Sequence, residues 1–465
     1  MKYISTRGQA PTLDFGEVVT TGLATDGGLY VPERWPSVAP DVQQDWAALS
    51  YVELVVEVMS LFAGDAIPRV ELERMSRKAY SGFSHPAIAP LQQLEEKLWI
   101  MELFHGPTLA FKDFALQFLG QLFEYLLAQR NEHRVIVGAT SGDTGSAAIE
   151  AVRGLEQVTL FMLHPKGRVS EVQRRQMTTV TDANIHNIAI DGDFDDCQRL
   201  VKSMFNDAQF RDEMGLSAVN SINWARVAAQ VVYYFRAALT LGSERQAVSF
   251  SVPSGNFGNV FAGFVAREMG LPVNQFVVGS NHNDILTRFF ATGTMQTEGV
   301  KPSITPSMDI QVSSNFERLL FELTERDGSM VRNWMTQFSE QGKFSVTEAQ
   351  YRKACNLFSA GRLDDQETRN EMARLFKSSA YIVDPHSAIG VATARRDQTD
   401  GDGPMVVLAT AHPAKFPQAV FDAIGQEALL PARVKHIMRA QEKMESAPAD
   451  LNVLQNLIRD SRGAH

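Results

Sequence analysis

The segment Phe104–Ala115, FHGPTLAFKDFA, places one lysine, Lys112, between Phe111 and Phe114 and beside the carboxylate of Asp113. A lysine amine attacks a carbonyl only when neutral, and desolvation among apolar groups lowers its pKa. This setting suits a lysine that holds an aldehyde cofactor as a Schiff base. A solvated lysine opening an amphipathic helix is the commoner use of the same pattern, so the segment alone leaves both open.

Two glycine-rich segments could handle anions. Val135–Val152, VIVGATSGDTGSAAIEAV, reads as a short buried strand, a turn over Gly138–Gly145, and an alanine-rich helix from Ser146. Backbone N–H groups and hydroxyls converge there at a helix N-terminus, which suits an anion. It is not a nucleotide P-loop, because no Gly-Lys-Ser/Thr follows. Val248–Ala266, VSFSVPSGNFGNVFAGFVA, repeats the grammar of strand, glycine loop and helix. Its Ser254–Asn259 stretch can wrap a phosphate with backbone donors and small side chains. Tight turns account for most bare Gly-x-x-Gly patterns, so each loop keeps that plainer reading too.

Elements that would carry these loops follow in order. Tyr51–Phe62 reads as an amphipathic helix, and Leu98–Leu103 as a strand feeding the lysine segment. Phe114–Ala128 reads as the helix after it. Val135–Val137, Val158–Leu163 and Asn187–Ile190 follow as strands, with Phe194–Phe205 helical. Ser249–Val252, Phe276–Gly279, Tyr381–Asp384 and Met405–Ala409 are later strands. Alternating strands and helices predict an α/β fold: a mainly parallel sheet covered on both faces, with ligands at the carboxyl ends of its strands. Met295–Ser314 has few periodic signals, so residues 280–350 are expected to be an ordered excursion near the site or a mobile flap. The tail from Glu427 is expected to be charged, helical and peripheral.

The chain's 465 residues can bury a large core split over two or three subdomains. A net charge of −10 argues against a general nucleic-acid binder. Cys197 and Cys355, the only cysteines, make neither a metal pattern nor a disulfide framework, which fits a reducing compartment. MKYISTRGQA lacks the apolar core of a signal peptide, and no apolar run is long enough for a bilayer. A cytoplasmic protein with no membrane partner and no metal is expected.

Taken together, GLATDGGLYVPE, FHGPTLAFKDFALQ, GATSGDTGSAA, HPKGRVSEVQRRQM, NSINWARVAAQ, PSGNFGNVFAG and LATAHPAKFP resemble the threonine synthase family. These are pyridoxal-phosphate (PLP) enzymes of the tryptophan-synthase-β fold type, fold type II, and the resemblance is to the long-chain branch. It implies mainly parallel sheets under helices with an N-terminal accessory region. The division it suggests is 1–95 accessory, 96–245 carrying the PLP lysine and substrate loops, and 246–465 carrying the PLP-phosphate loop. The last part would include the 280–350 insertion and a helical tail.

The resemblance also implies roles. Lys112 would be the Schiff-base lysine and general base, with Phe111 against the cofactor ring. Gly255, Asn256, Phe257, Gly258 and Asn259 would cradle the cofactor phosphate, and Thr410 would face the pyridine nitrogen. A hydroxyl there cannot stabilise a pyridinium as a carboxylate would, which leaves the ring a weaker electron sink. Ser141 and Thr144 would grip the substrate carboxylate. Asp143 stands where many relatives of this fold have asparagine against the cofactor's 3′ oxygen; two like charges there would be costly, so it either turns away or shares a proton. Asn220, Ser221 and Arg226 would grip the substrate phosphate, Arg226 with its planar fork. His105 reads as structural, and His412 as either a turn residue or a site neighbour. Lys166 and Arg168 would line the pocket or a solvated loop.

The implied reaction is a lyase step on a phosphate ester. O-phospho-L-homoserine and water would give L-threonine and phosphate by γ-elimination and β-addition, in a monomer or homodimer. The alternatives are another lyase of the same fold, such as a serine/threonine dehydratase, or a PLP- or phospho-ligand binder without turnover.

Overall fold

The computed structural model describes residues 1–217, 221–243, 246–398 and 403–462. It comprises two compact units, Met1–Ala115 with Ser221–Leu429, and Leu116–Asn220 with Leu430–His465. Among the described residues no helix is long and apolar enough to cross a membrane.

The first unit is built on a six-stranded sheet in the order Phe358–Arg362, Val273–Ser280, Val248–Pro253, Met405–Ala409, Leu98–Glu102, Leu91–Gln93. The first five strands run parallel and only the Leu91–Gln93 edge is antiparallel. Every residue of Val248–Pro253 and of Met405–Ala409 is buried, as expected of parallel strands covered on both sides. Successive strand residues point to opposite faces. Phe250 packs its ring edge-on to Tyr234 of the helix Trp224–Thr240. Its neighbour Ser251 donates to the carbonyl of Gly390 at 2.7 Å, in the helix Pro385–Asp397. The two faces are thereby closed by different helices.

The 280–350 region is ordered. It holds the helices Ile285–Thr292, Phe316–Leu323 and Gly328–Gln341, and an antiparallel pair, Thr294–Gln296 with Lys343–Ser345. Its aperiodic part is fixed by polar side chains rather than by an apolar stripe. Asp309 accepts from Asn281 at 2.7 Å, from Asn283 at 3.0 Å, from the Ser303 hydroxyl at 2.6 Å and from the Ser303 N–H at 3.0 Å. Such a carboxylate replaces water donors one for one, and periodicity is blind to it.

The second unit has a five-stranded, wholly parallel sheet in the order Glu445–Pro448, Ile185–Asp191, Val158–Pro165, Arg134–Ala139, Leu216–Ser217. Three sequence expectations need correction. Tyr381–Asp384 is not a strand: Asp384 caps the helix Pro385–Asp397 through the N–H groups of His386 and Ser387, and Tyr381 hydrogen-bonds Glu102. The helix after the first glycine loop begins at Asp143 rather than Ser146. The tail is not peripheral: Glu445–Pro448 pairs with Ile188–Asp191, and Leu454 and Ile458 of the helix Leu451–Arg462 are fully buried.

Candidate active site

Three loops leave the carboxyl ends of adjacent parallel strands of the first unit. Ser254–Asn259 follows Val248–Pro253, Thr410–Pro413 follows Met405–Ala409, and Leu103–Phe111 follows Leu98–Glu102. This is where open α/β sheets bind ligands.

The lysine segment is stitched to its neighbour through the backbone. The N–H of Phe111 donates to Thr410 O at 2.8 Å, and the N–H of His412 to Leu109 O at 3.0 Å. Lys112 opens the helix Lys112–Arg130, is only 9% exposed, and has Nζ 5.5 Å from the Phe111 ring centroid. Asp113 is fully buried and staples the preceding turn, accepting from the Thr108 N–H at 2.8 Å and its hydroxyl at 2.6 Å. A Cβ on Gly106 would lie 2.5 Å from that carboxylate, so glycine is required there. Lys415, fully buried, donates to Thr108 O at 2.8 Å from the other side. Nothing local in HPAKFP marked this second lysine as part of the lysine segment's support.

Thr410 is held from both ends of its peptide: its N–H donates to Ser387 Oγ at 2.9 Å and its carbonyl accepts from Phe111. Ser387 Oγ in turn donates to Asp384.

In Ser254–Asn259 the carbonyl of Gly255 accepts from Ser313 Oγ at 2.6 Å, and that of Asn256 from Asn315 Nδ2 at 3.1 Å. Across a trans peptide, C=O and the next N–H point oppositely. The N–H groups of Asn256 and Phe257 therefore turn away from the insertion, and that of Phe257 meets Ser254 Oγ at 3.1 Å. Phe257 adopts φ +60° and sends its buried ring against Phe316. Its part in the loop is thus a backbone one. Gly258 and Asn259 begin the helix Gly258–Glu268, whose first-turn N–H groups have no intrahelical acceptor.

The Asn259 amide is set by two tyrosines. Tyr233 and Tyr234 donate to its Oδ1 at 2.6 and 2.9 Å, and burial pushes both phenol pKa values well up. They therefore remain donors, and Asn259 Nδ2 is left buried without a protein acceptor.

Arg226 lies in the first turn of the helix Trp224–Thr240, which Asn223 caps by accepting from Ala225 at 2.9 Å. Arg226 is 4% exposed, and neither its Nε nor its Nη1 has a hydrogen-bond partner among the described residues. Burial pulls its pKa down to about 10. A buried, charged, unsatisfied fork is costly unless an anion completes it. Ser221, on the turn before this helix, gives its carbonyl to Asn315 at 3.0 Å. Asn220 lies outside the described residues.

The second unit carries Ser141, Asp143 and Thr144. Thr140 Oγ1 accepts from the N–H groups of Gly142 and Gly145, both at 2.9 Å, and so folds the turn. Gly142 has φ 143°, and a Cβ there would lie 2.5 Å from the Gln173 carboxamide. That amide donates to Asp143 Oδ1 at 2.8 Å. Asp143 is therefore compensated from HPKGRVSEVQ, a pairing thirty residues away that the loop's own sequence does not announce.

His105 sits at 2.7 Å from Glu102, which also accepts from Tyr381 at 2.8 Å. Burial alone would raise the Glu102 pKa, but these hydrogen bonds bring it below the ordinary value. Lys166 pairs with Asp191 at 3.0 Å on an exposed surface, the solvated-loop alternative for that residue.

These donors fit pyridoxal phosphate: a nearly buried lysine, a loop of backbone N–H groups with an orphaned amide donor, and a threonine fixed by its backbone on the adjacent strand. Comparison with known proteins agrees. Residues 2–80 match the family "Threonine synthase N terminus", 387–458 "Threonine synthase, C-terminal", and 84–333 "Pyridoxal-phosphate dependent enzyme". The threonine synthase of Pseudomonas aeruginosa is 51% identical over 98% of both chains. The crystal structure of PLP-bound threonine synthase from Brucella melitensis superposes with TM-score 0.97 at 50% identity over 99% of both chains. That of Escherichia coli superposes with TM-score 0.83 at 32% identity over 99% of this chain and 100% of its own. With the lysine segment, the phosphate loop and near-complete coverage in agreement, the chain belongs to the threonine synthase family of pyridoxal-phosphate-dependent enzymes.

Proposed function

We propose that this protein converts O-phospho-L-homoserine and water into L-threonine and inorganic phosphate in the cytoplasm. The observation that carries the reading is a pair of buried donor sets on two different helices of one unit. Asn259 Nδ2 lies at the glycine loop, and the Arg226 fork lies in the helix that follows Ser221. One suits the phosphate of the cofactor and the other the phosphate of a substrate.

Lys112 would hold the cofactor, with Phe111 and Thr410 at its ring and Gly255 to Asn259 at its phosphate. When bound, pyridoxal phosphate supplies the electron sink that makes the substrate's Cα and Cβ protons removable. The Lys112 amine, once released by substrate, takes the proton at Cα and then moves one at Cβ. Such transfers need the neutral amine. Arg226 and Ser221 bind the substrate phosphate and stabilise its charge as the Cγ–O bond breaks. Lys112 returns a proton to Cγ, water adds its hydroxyl at Cβ, and a proton goes back to Cα. In the second unit, Ser141 and Thr144 stand on a turn ordered by Thr140 and have the hydroxyls that suit a carboxylate.

A substrate panel on the PLP-loaded protein tests this. O-phospho-L-homoserine should be consumed, while L-threonine and L-serine should not be deaminated. Release of 2-oxobutanoate from threonine would instead make the protein a dehydratase.

A further inference from the structure

Arg318 and Asn315, from the insertion, are both fully buried, and the reaction proposed above uses neither. Arg318 donates to Tyr30 O at 3.1 and 3.0 Å, to Ile222 O at 2.6 Å, and to Asn315 Oδ1. Its acceptors are carbonyl oxygens, its guanidinium lies 5.7 Å from the Trp224 ring, and burial pulls its pKa down to about 9. An apolar side chain would leave the Tyr30 and Ile222 carbonyls without this donor. The arginine also sets a direction. By occupying Oδ1 it leaves the Asn315 amide one orientation, with Nδ2 forward.

That Nδ2 donates to two carbonyls at once, Ser221 O at 3.0 Å and Asn256 O at 3.1 Å, and the Asn315 N–H also donates to Asn256 O at 3.1 Å. Ser221 belongs to the turn that leads to Arg226, and Asn256 to the loop that ends in Asn259. A Cβ on Gly258 would lie 3.1 Å from the same Nδ2, so the loop is seated directly against it. One atom thus spans both phosphate-binding segments.

We propose that Asn315, oriented by Arg318, is a positioning residue that fixes the cofactor-phosphate loop and the substrate-phosphate turn in register with each other. The inference rests on the functional reading above for the identity of the second phosphate. Because both carbonyls turn toward Asn315, the N–H groups that follow them turn the other way, and losing the amide frees the Ser221 carbonyl and leaves the Asn256 carbonyl only its bond from the Asn315 N–H.

Asn315→Asp separates this role from folding. The carboxylate keeps the acceptor for Arg318 and adds an ion pair, but replaces a shared donor with an oxygen facing two carbonyls. Three quantities are read on wild type, Asn315→Asp and Asn315→Ala. They are the PLP dissociation constant from dilution of the holoenzyme followed by visible absorbance, the inhibition constant of inorganic phosphate, and KM and kcat for O-phospho-L-homoserine. Asn283→Ala, in the Asp309 network of the same insertion, serves as the control for lost hydrogen bonds.

Both Asn315 variants are expected to weaken PLP and inorganic phosphate by about tenfold or more, as lost charge-assisted contacts do. KM should rise in parallel with kcat kept within about threefold. Asn283→Ala should leave all of these within about threefold. Unchanged constants in Asn315→Asp, or a change in one phosphate only, overturns the proposal, as does an equal change in Asn283→Ala. Should the Asn315 variants not fold, Arg318→Lys, which keeps charge and loses the fork, must shift both constants in the same direction or the proposal falls. A wild type that retains PLP but releases no threonine refutes the proposed reaction instead, and leaves the cofactor measurement readable.

Discussion

At the scale of single residues, Arg226 is held in a state that favours ligand over fold. Its guanidinium is buried with Nε and Nη1 unsatisfied, so Arg226→Met should stabilise the ligand-free protein by about 1–4 kcal/mol in denaturant titration. The same change should raise KM for the phosphorylated substrate by about 10- to 100-fold, through lost charge-assisted hydrogen bonds. A variant that loses stability would show that the fork has a structural partner. Lys112→Ala should lower turnover by about a thousandfold or more, because one amine serves both as cofactor anchor and proton carrier. Lys112 was recognisable as chemically apt from its apolar neighbours, yet only the company of the other motifs separated it from a solvated helix start. Lys415 and the Asp143–Gln173 pair were not legible, since each acts through a partner distant in sequence and no local pattern encodes that distance.

At the scale of elements, strand-loop-helix grammar was readable because it is local. Glycines and small residues mark the loop, and buried β-branched and aromatic runs mark the strands. The glycine turn of the second unit makes this testable. Gly142→Ala combines a strained φ with a Cβ 2.5 Å from Gln173, and should cost about 1–3 kcal/mol in unfolding free energy. Tyr381–Asp384 misread because an apolar-looking tetrad was in fact a cap and a tyrosine reaching Glu102. That contact has a pH signature. The folded Glu102 carboxyl titrates below its ordinary 4.5, so its contribution is full above that value and is lost as pH falls through the lower folded value. Glu102→Gln should lower stability at neutral pH, where the contribution is full, and flatten the acid limb below pH 4.5; an unaltered acid limb would mean that His105 and Tyr381 do not hold the carboxylate.

At the scale of the whole molecule, a mainly parallel sheet was expected from alternation, whereas the place of the tail was not. Charge along Glu427–His465 masks a short strand that completes the second sheet and a helix with two fully buried side chains. Leu454→Ala should cost about 2–5 kcal/mol, read as a lower denaturation midpoint. A change well under 1 kcal/mol would restore the peripheral reading.

Products counted together decide the reaction. PLP-loaded protein incubated with O-phospho-L-homoserine should yield L-threonine and inorganic phosphate in equal amounts. Phosphate accompanied by 2-oxobutanoate, or a bound cofactor with neither product formed, would contradict it.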